Sequence, residues 1–118
     1  MANYWKLYKK AKAFYFGLGK IKCPALSDEE IIFDWRGFRH FLHKGRHNRS
    51  IADQIRRFKL LFRIKEVMDG AKIISSRDRK EKTALRPLFY RDGAKEVRII
   101  LLEDKSGKKY FISVMDQT

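Results

Sequence analysis

Residues 86–116, RPLFYRDGAKEVRIILLEDKSGKKYFISVMD, decide how the chain is put together. Within them RPLFYRD, KEVRIILLED and KKYFISVMD are each of strand length and rich in Ile, Val, Phe and Tyr, and Asp92-Gly93 and Ser106-Gly107 separate them. β-Branched and aromatic runs divided by short turn-forming pairs are how hairpins are written. The spacing therefore predicts two successive hairpins. AKIISS, from Ala71, supplies a further strand, and the polar tract 77–85 behind it reads as a mobile loop.

Upstream the period is helical. SIADQIRRFKLLFRIKEVMDG opens on Ser50, sets Asp53 three residues on in a capping-box arrangement, and closes at Gly70. Ile51, Ile55, Phe58, Leu61, Phe62 and Met68 interleave with Arg56, Arg57, Lys59, Arg63 and Lys65, which predicts a basic amphipathic helix over 51–69. A first helix is predicted over 3–16, where Asn3 can cap and Trp5, Leu7, Tyr8, Ala11, Phe14 and Tyr15 recur before Gly17 and Gly19. Between the two helices lie a short extended piece, Ile31 to Trp35, and a His-bearing segment, 36–49, whose GFRHFLHKG reads as a brief helix stopped by Gly45. Helices first and a sheet over 71–116 after them make an α+β fold. Residues 1–118 form one domain, with N-terminal helices packed on one face of a C-terminal antiparallel sheet of about four strands.

Charge narrows the partners. Twenty-eight Lys and Arg against fourteen Asp and Glu leave a formal charge of +14, with 44% apolar and 14% aromatic residues. Composition this apolar belongs to a folded body, and a folded body this basic attracts a polyanion. From Arg36 to Lys65 ten basic residues face a single acid, Asp53. That stretch is the expected phosphate-facing surface, with Arg36, Arg39, Lys44, His47, Arg56 and Arg57 as nucleic-acid contacts.

Other classes are disfavoured. One cysteine, Cys23, excludes an internal disulfide and leaves too few ligands for a cysteine-based zinc site. Lysines interrupt the aromatic N-terminus, so no signal-peptide core is visible, and no apolar run approaches the roughly 20 residues of a membrane span. No membrane role and a cytoplasmic site of action, in the chain's own cell or a target cell, are the expectations.

All three histidines lie in RHFLHKGRHNRS, residues 39–50. Metal-free RNA cleavage needs a general base for the 2′-hydroxyl, a general acid for the leaving 5′ oxygen, and cations for the crowded phosphorane. RNA brings its own nucleophile, so no metal and no cofactor is required. His40 and His43 share a face if the segment is helical, and His47 lies beyond Gly45 where the chain can turn back. His40 and His43 are the acid and base candidates, flanked by Arg46 and Arg49. His40 could equally pack among Phe38, Phe41 and Leu42. In the sheet, Tyr90 and Arg91 end one strand and offer an aromatic face and a cation. Ser113 places a hydroxyl in the apolar FISVM, where it could also simply occupy a strand position.

The order FRHFLHKGRHNR, long helix, AKIISS, FYRDG, KEVRIILLEDKSG and KKYFISVM resembles the barnase, EndoU, colicin and RelE type ribonuclease superfamily, in its phage and polymorphic-toxin branch, across roughly residues 31–115. The resemblance implies metal-independent RNA cleavage that leaves a 2′,3′-cyclic phosphate. It implies the upstream histidine to be His40 or His43, cationic partners in Arg46, Arg49 and Arg91, and a last-strand hydroxyl in Ser113. It also implies a toxin-type endoribonuclease, whose partners would be RNA and an acidic inhibitor protein. A noncatalytic RNA-binding or ribosome-associated module is the alternative, and a structural protein that docks on an acidic partner is a third.

Overall fold

A computed structural model describes residues 2–73 and 84–117. Helix α1, Ala2–Leu18, buries Tyr4, Ala11 and Tyr15 along one face and leaves Lys6, Lys9, Lys10 and Lys12 in solvent. It runs further at both ends than the 3–16 predicted, and Asn3 sits inside its first turn. Gly19, at φ +64°, takes the left-handed conformation that ends helices at little steric cost. Strands β1, Lys20–Cys23, and β2, Glu29–Ile32, then form an antiparallel hairpin around a 3₁₀ turn at Pro24–Leu26.

Asp34 caps helix α2, Trp35–Leu42, by accepting a hydrogen bond from Arg36 N at 3.1 Å. The expected extended piece thus ends early, because Trp35 is already helical. Gly45 does not stop this helix. The helix ends at Leu42, and Gly45, at φ +62°, turns a two-stranded ribbon made of β3, His43–Lys44, and β4, His47–Asn48. Glycine at the first central position suits a two-residue hairpin turn.

The predicted helix over 51–69 is two helices, α3, Ile51–Leu61, and α4, Ile64–Gly70. Ser50 caps α3 by accepting from Asp53 N at 3.1 Å. The chain breaks at Phe62 and Arg63 without glycine or proline. Arg63 N bonds back to Leu60 O at 3.0 Å, while the Phe62 ring packs edge-on against Phe14 at 5.2 Å between centroids.

Strands β5, Lys72–Ile73, β6, Ala84–Asp92, β7, Lys95–Glu103, and β8, Lys109–Gln117, pair antiparallel in sequence order. The polar tract expected at 77–85 lies outside the described residues up to 83, and Ala84 and Leu85 already belong to β6. The β1–β2 hairpin adds to the sheet through a parallel pairing of β2 with β8, Ile31 opposite Lys109 and Ile32 opposite Tyr110. Lys109 Nζ reaches Glu29 at 2.5 Å and pins that junction. The result is a mixed sheet of six strands, ordered β1-β2-β8-β7-β6-β5, rather than an antiparallel sheet of about four.

The architecture is α+β, and the helices use the sheet differently. Helices α2 and α3 lie on the central strand β8, α1 covers α3, and α4 touches both β1 and β6. Contact of one helix with strands near opposite edges means that the sheet curls. Inside the curl, Tyr15, Phe41, Phe58 and Phe111 are fully buried, with Phe33 and Phe111 stacked at 4.9 Å. Gly37 lets α2 approach: a Cβ there would lie 2.6 Å from both the ring and the carbonyl oxygen of Phe111. No helix of the described residues is long and apolar enough to cross a membrane.

A candidate nucleic-acid groove on helix α2

On a helix, residues three and four apart share a face, so Trp35, Arg36, Arg39, His40 and His43 follow one another along one side of α2 and into the ribbon. They line an open groove of about 300 Å³, completed by Gly45 and Ile112. Ile112 reaches it through a β-bulge. In the β7–β8 pairing Ile100 faces Ser113 and Leu101 faces Phe111, so Ile112 is the extra residue. A bulge re-aims side chains, and here it supplies the groove with an apolar wall.

Each side chain has a defined setting. Arg36 is held in a fork by Asp34, Nε to Oδ2 at 3.2 Å and Nη2 to Oδ2 at 2.9 Å, and lies over the Tyr110 ring at 4.3 Å from its centroid. Arg39 is exposed. Burial of part of its ring, and then the charges of Arg49, Arg57 and Arg39, push the His40 pKa below the ordinary imidazole value. His40 still keeps an exposed surface, so the packing role open to it in the sequence is at most partial. Antiparallel partners point to one side of a ribbon, which pairs His43 with Asn48 and sends His47 with Lys44 to the other side. Neither His47 nor Lys44 lines the groove.

Beneath the groove lies a network centred on Asp53. Its carboxylate accepts from Arg49 Nη1 at 3.2 Å, Arg56 Nη2 at 2.9 Å and Arg57 Nε at 3.3 Å. Burial works to raise the Asp53 pKa, but the Arg56 hydrogen bond and the charges of Arg57 and Arg49 overcome it and hold the carboxyl below its usual range. Arg57 is 9% exposed, and its Nη1 donates to Ser113 Oγ at 3.3 Å and to the Val114 carbonyl at 3.0 Å. Arg57 and Ser113 are therefore brought together in the interior, and neither lines the groove. Arg46 occupies the exposed ribbon turn beside Gly45.

Tyr90 and Arg91 are elsewhere. They line a separate groove with Gly70, Lys72, Phe89 and Glu96, where Tyr90 Oη donates to Glu66 at 2.8 Å. Arg56 lines a third groove, between α3 and the β6–β7 turn. So the structure gathers His40, His43, Arg36 and Arg39, and leaves Arg91, Tyr90, Arg56, Arg57 and Ser113 outside that gathering. Trp35, 60% exposed at the groove, is the residue that sequence reasoning passed over. Its signal was available, because it stands four residues before Arg39 on the same helical face.

Among the described residues no three His, Cys, Asp or Glu side chains cluster as metal ligands would. The groove can donate cationic hydrogen bonds, move protons through two imidazoles, and offer an indole face for stacking. Compared with family models, curated proteins and solved structures, the chain matches none.

Proposed function

We propose that the α2 groove binds single-stranded RNA and cleaves it without a metal. The observation that carries this reading is that His40 and His43 line one open groove with Arg36, Arg39 and an exposed Trp35. His40, with its lowered pKa, is the base: it takes the 2′-hydroxyl proton as that oxygen bonds to the adjacent phosphorus. The bond from phosphorus to the 5′ oxygen breaks, and His43 supplies the proton to that oxygen. Arg39, with Arg36 beside it in the groove, meets the phosphorane charge. The products are a 2′,3′-cyclic phosphate and a 5′-hydroxyl. Trp35 stacks on an unpaired base, which sets a requirement for single-stranded substrate.

The order of segments resembling the toxin-type ribonuclease superfamily supports the same chemistry. A ribonuclease acting in a cytoplasm calls for restraint, and a +14 surface suits an acidic inhibitor protein. A noncatalytic RNA-binding module is the second reading. It is favoured by the firm attachment of Arg36 to Asp34 and Tyr110, an arrangement that serves binding without chemistry.

Incubation of the purified protein with end-labelled single-stranded RNA in excess chelator separates the two. Cyclic-phosphate ends that depend on His40 and His43 are the expected result. RNA that is retained but intact would leave the binding module.

A further inference from the structure

Between α3 and the β6–β7 turn runs a groove of about 530 Å³ that plays no part in the chemistry proposed above. Its rim carries Arg56 and Lys59 from α3, Arg63 from the helix break, and Lys95 from the start of β7. Four cations on one rim repel one another, and carboxylates inside and beside the groove hold the two arginines in place. Arg63 Nη1 donates to Asp92 at 2.7 Å, and Arg56 Nε lies 3.7 Å from Asp116. Arg63 also donates to Glu66, from Nε at 3.3 Å and Nη2 at 2.6 Å, and Arg56 Nη2 donates to Asp53 at 2.9 Å, so both guanidiniums are largely committed and the lysines are the cations left for a ligand. Lys59 and Lys95 are exposed and, among the described residues, in no ion pair. Below the rim the groove is apolar, with Ile55 half-buried and Leu60 and Val97 buried.

The position of this groove relative to the histidines is set by one strand. Ile112 of β8 borders the α2 groove and Asp116 of β8 borders this one. Four residues at about 3.3 Å each put the two about 13 Å apart along the strand. That is the reach of a few nucleotides. A groove with a cationic rim is also what tracks the backbone of unpaired RNA.

We infer that the groove between α3 and the β6–β7 turn is a second, noncatalytic subsite for the backbone of single-stranded RNA, in which Lys59 and Lys95 contact phosphates of the strand whose other end lies in the α2 groove. It rests on the reading of the α2 groove as an RNA site. It extends that reading by making the protein favour substrates several nucleotides long, because a fragment that fills only the α2 groove gains nothing from Lys59 or Lys95.

The test compares the parent with Lys59→Gln/Lys95→Gln, two exposed positions whose change leaves the core intact. Binding to a 2′-O-methyl dodecanucleotide and to a 2′-O-methyl trinucleotide, neither of which can be cleaved, is followed by fluorescence anisotropy across a salt series. For the dodecamer the double variant is expected to bind several-fold more weakly, with a salt slope shallower by about 1.4, from about 0.7 per lost phosphate contact. Trinucleotide binding is expected to stay at the parental level. A dodecamer affinity and slope equal to the parent's would overturn the subsite, as would an equal loss for both lengths or no binding of RNA by the parent. The catalytic reading fails separately: ribose dodecamer left uncut by a parent that shows the length-dependent lysine effect would refute cleavage and leave the subsite standing.

Discussion

Arg49 donates from Nε to the backbone carbonyl of His40 at 2.6 Å, and its own amide donates to the Leu42 carbonyl at 2.8 Å. Two of the carbonyls that the end of α2 leaves without helical partners are thereby satisfied by the residue that precedes the α3 cap. Arg49 is a fastener of the histidine-bearing helix, with a side chain 9% exposed.

Arg49→Gln is expected to lower stability by about 1.5–3 kcal/mol, the range for hydrogen bonds to a charged group, and to reduce RNA cleavage by displacing His40. Arg46→Gln, in the exposed ribbon turn, is expected to leave the urea midpoint unchanged and to affect RNA binding alone. Equal stability losses at the two positions would contradict the fastening role.

His40→Ala and His43→Ala are each expected to keep the fold and to lower cleavage by about 10² to 10⁴, the contribution of one positioned acid or base. His47→Ala, on the opposite side of the ribbon, is expected to cut at close to the parental rate. Product ends mapped on labelled RNA supply the measurement. Parental cleavage by both His40 and His43 variants would remove the dyad.

The pH dependence follows from the direction of the His40 shift. A general base works unprotonated, so a pKa held below the ordinary value of about 6.5 carries the acid limb of the rate profile to lower pH. Arg39→Gln removes one of the like charges that act on His40. Its pKa is expected to rise, and the acid limb to move to higher pH, with the imidazole titration followed by NMR moving the same way. A limb that stays in place while the imidazole titration moves would take His40 out of the role of base.

The legibility of the fold in its residues divides along physical lines. Strands β6 to β8 are legible because their runs are long and their turns carry glycine at the positive φ that a tight turn demands, as at Gly93 and Gly107. Strands β1 and β2 are not, because KIKC and EEII are four residues each and owe their pairing to β8 and the Lys109–Glu29 contact. The break between α3 and α4 is hidden for a similar reason: Phe62 and Arg63 are acceptable helix residues, and their partners Phe14 and Asp92 lie far away in sequence. At the site, the helical spacing of Arg36, Arg39, His40 and His43 can be read directly. The placement of Arg91 and Ser113 depends on strand order and on a bulge, which local pattern does not encode.

Gly37→Ala tests the approach of α2 to β8. The added methyl would meet Phe111 at 2.6 Å and the Tyr15 hydroxyl of α1 as well, and such overpacking costs about 1–3 kcal/mol. Gly17 in α1 has nothing within 4 Å of a Cβ, so Gly17→Ala is expected to be neutral or to stabilise by up to about 1 kcal/mol through helix propensity. Urea midpoints of the two variants should move in opposite directions or, at the least, only the first should fall. A Gly37 variant as stable as the parent would mean that α2 can stand further from the sheet without loss.

Asp53 is the one acid between Arg36 and Lys65, and three guanidiniums converge on it. Its folded pKa lies below the value of about 3.9 expected in the unfolded chain, so its contribution to stability is complete above that value and is lost as pH falls through the folded pKa. Asp53→Asn keeps the shape and removes the charge. Arg49, Arg56 and Arg57 are then left to repel one another, with Arg57 largely buried. A partly buried pair broken on one side is expected to cost about 2–4 kcal/mol at neutral pH, somewhat less than a fully buried one. Urea unfolding followed from neutral to acid pH should show the parent losing this stability at the acid end and the variant, which has no carboxylate to protonate there, showing a flatter curve. Asp53 also holds Arg49 against His40, so cleavage by the variant should fall at temperatures where it is still folded. A variant with the parental midpoint and the parental acid limb would mean that the three arginines are accommodated by solvent, and the network would then have no part in placing the groove.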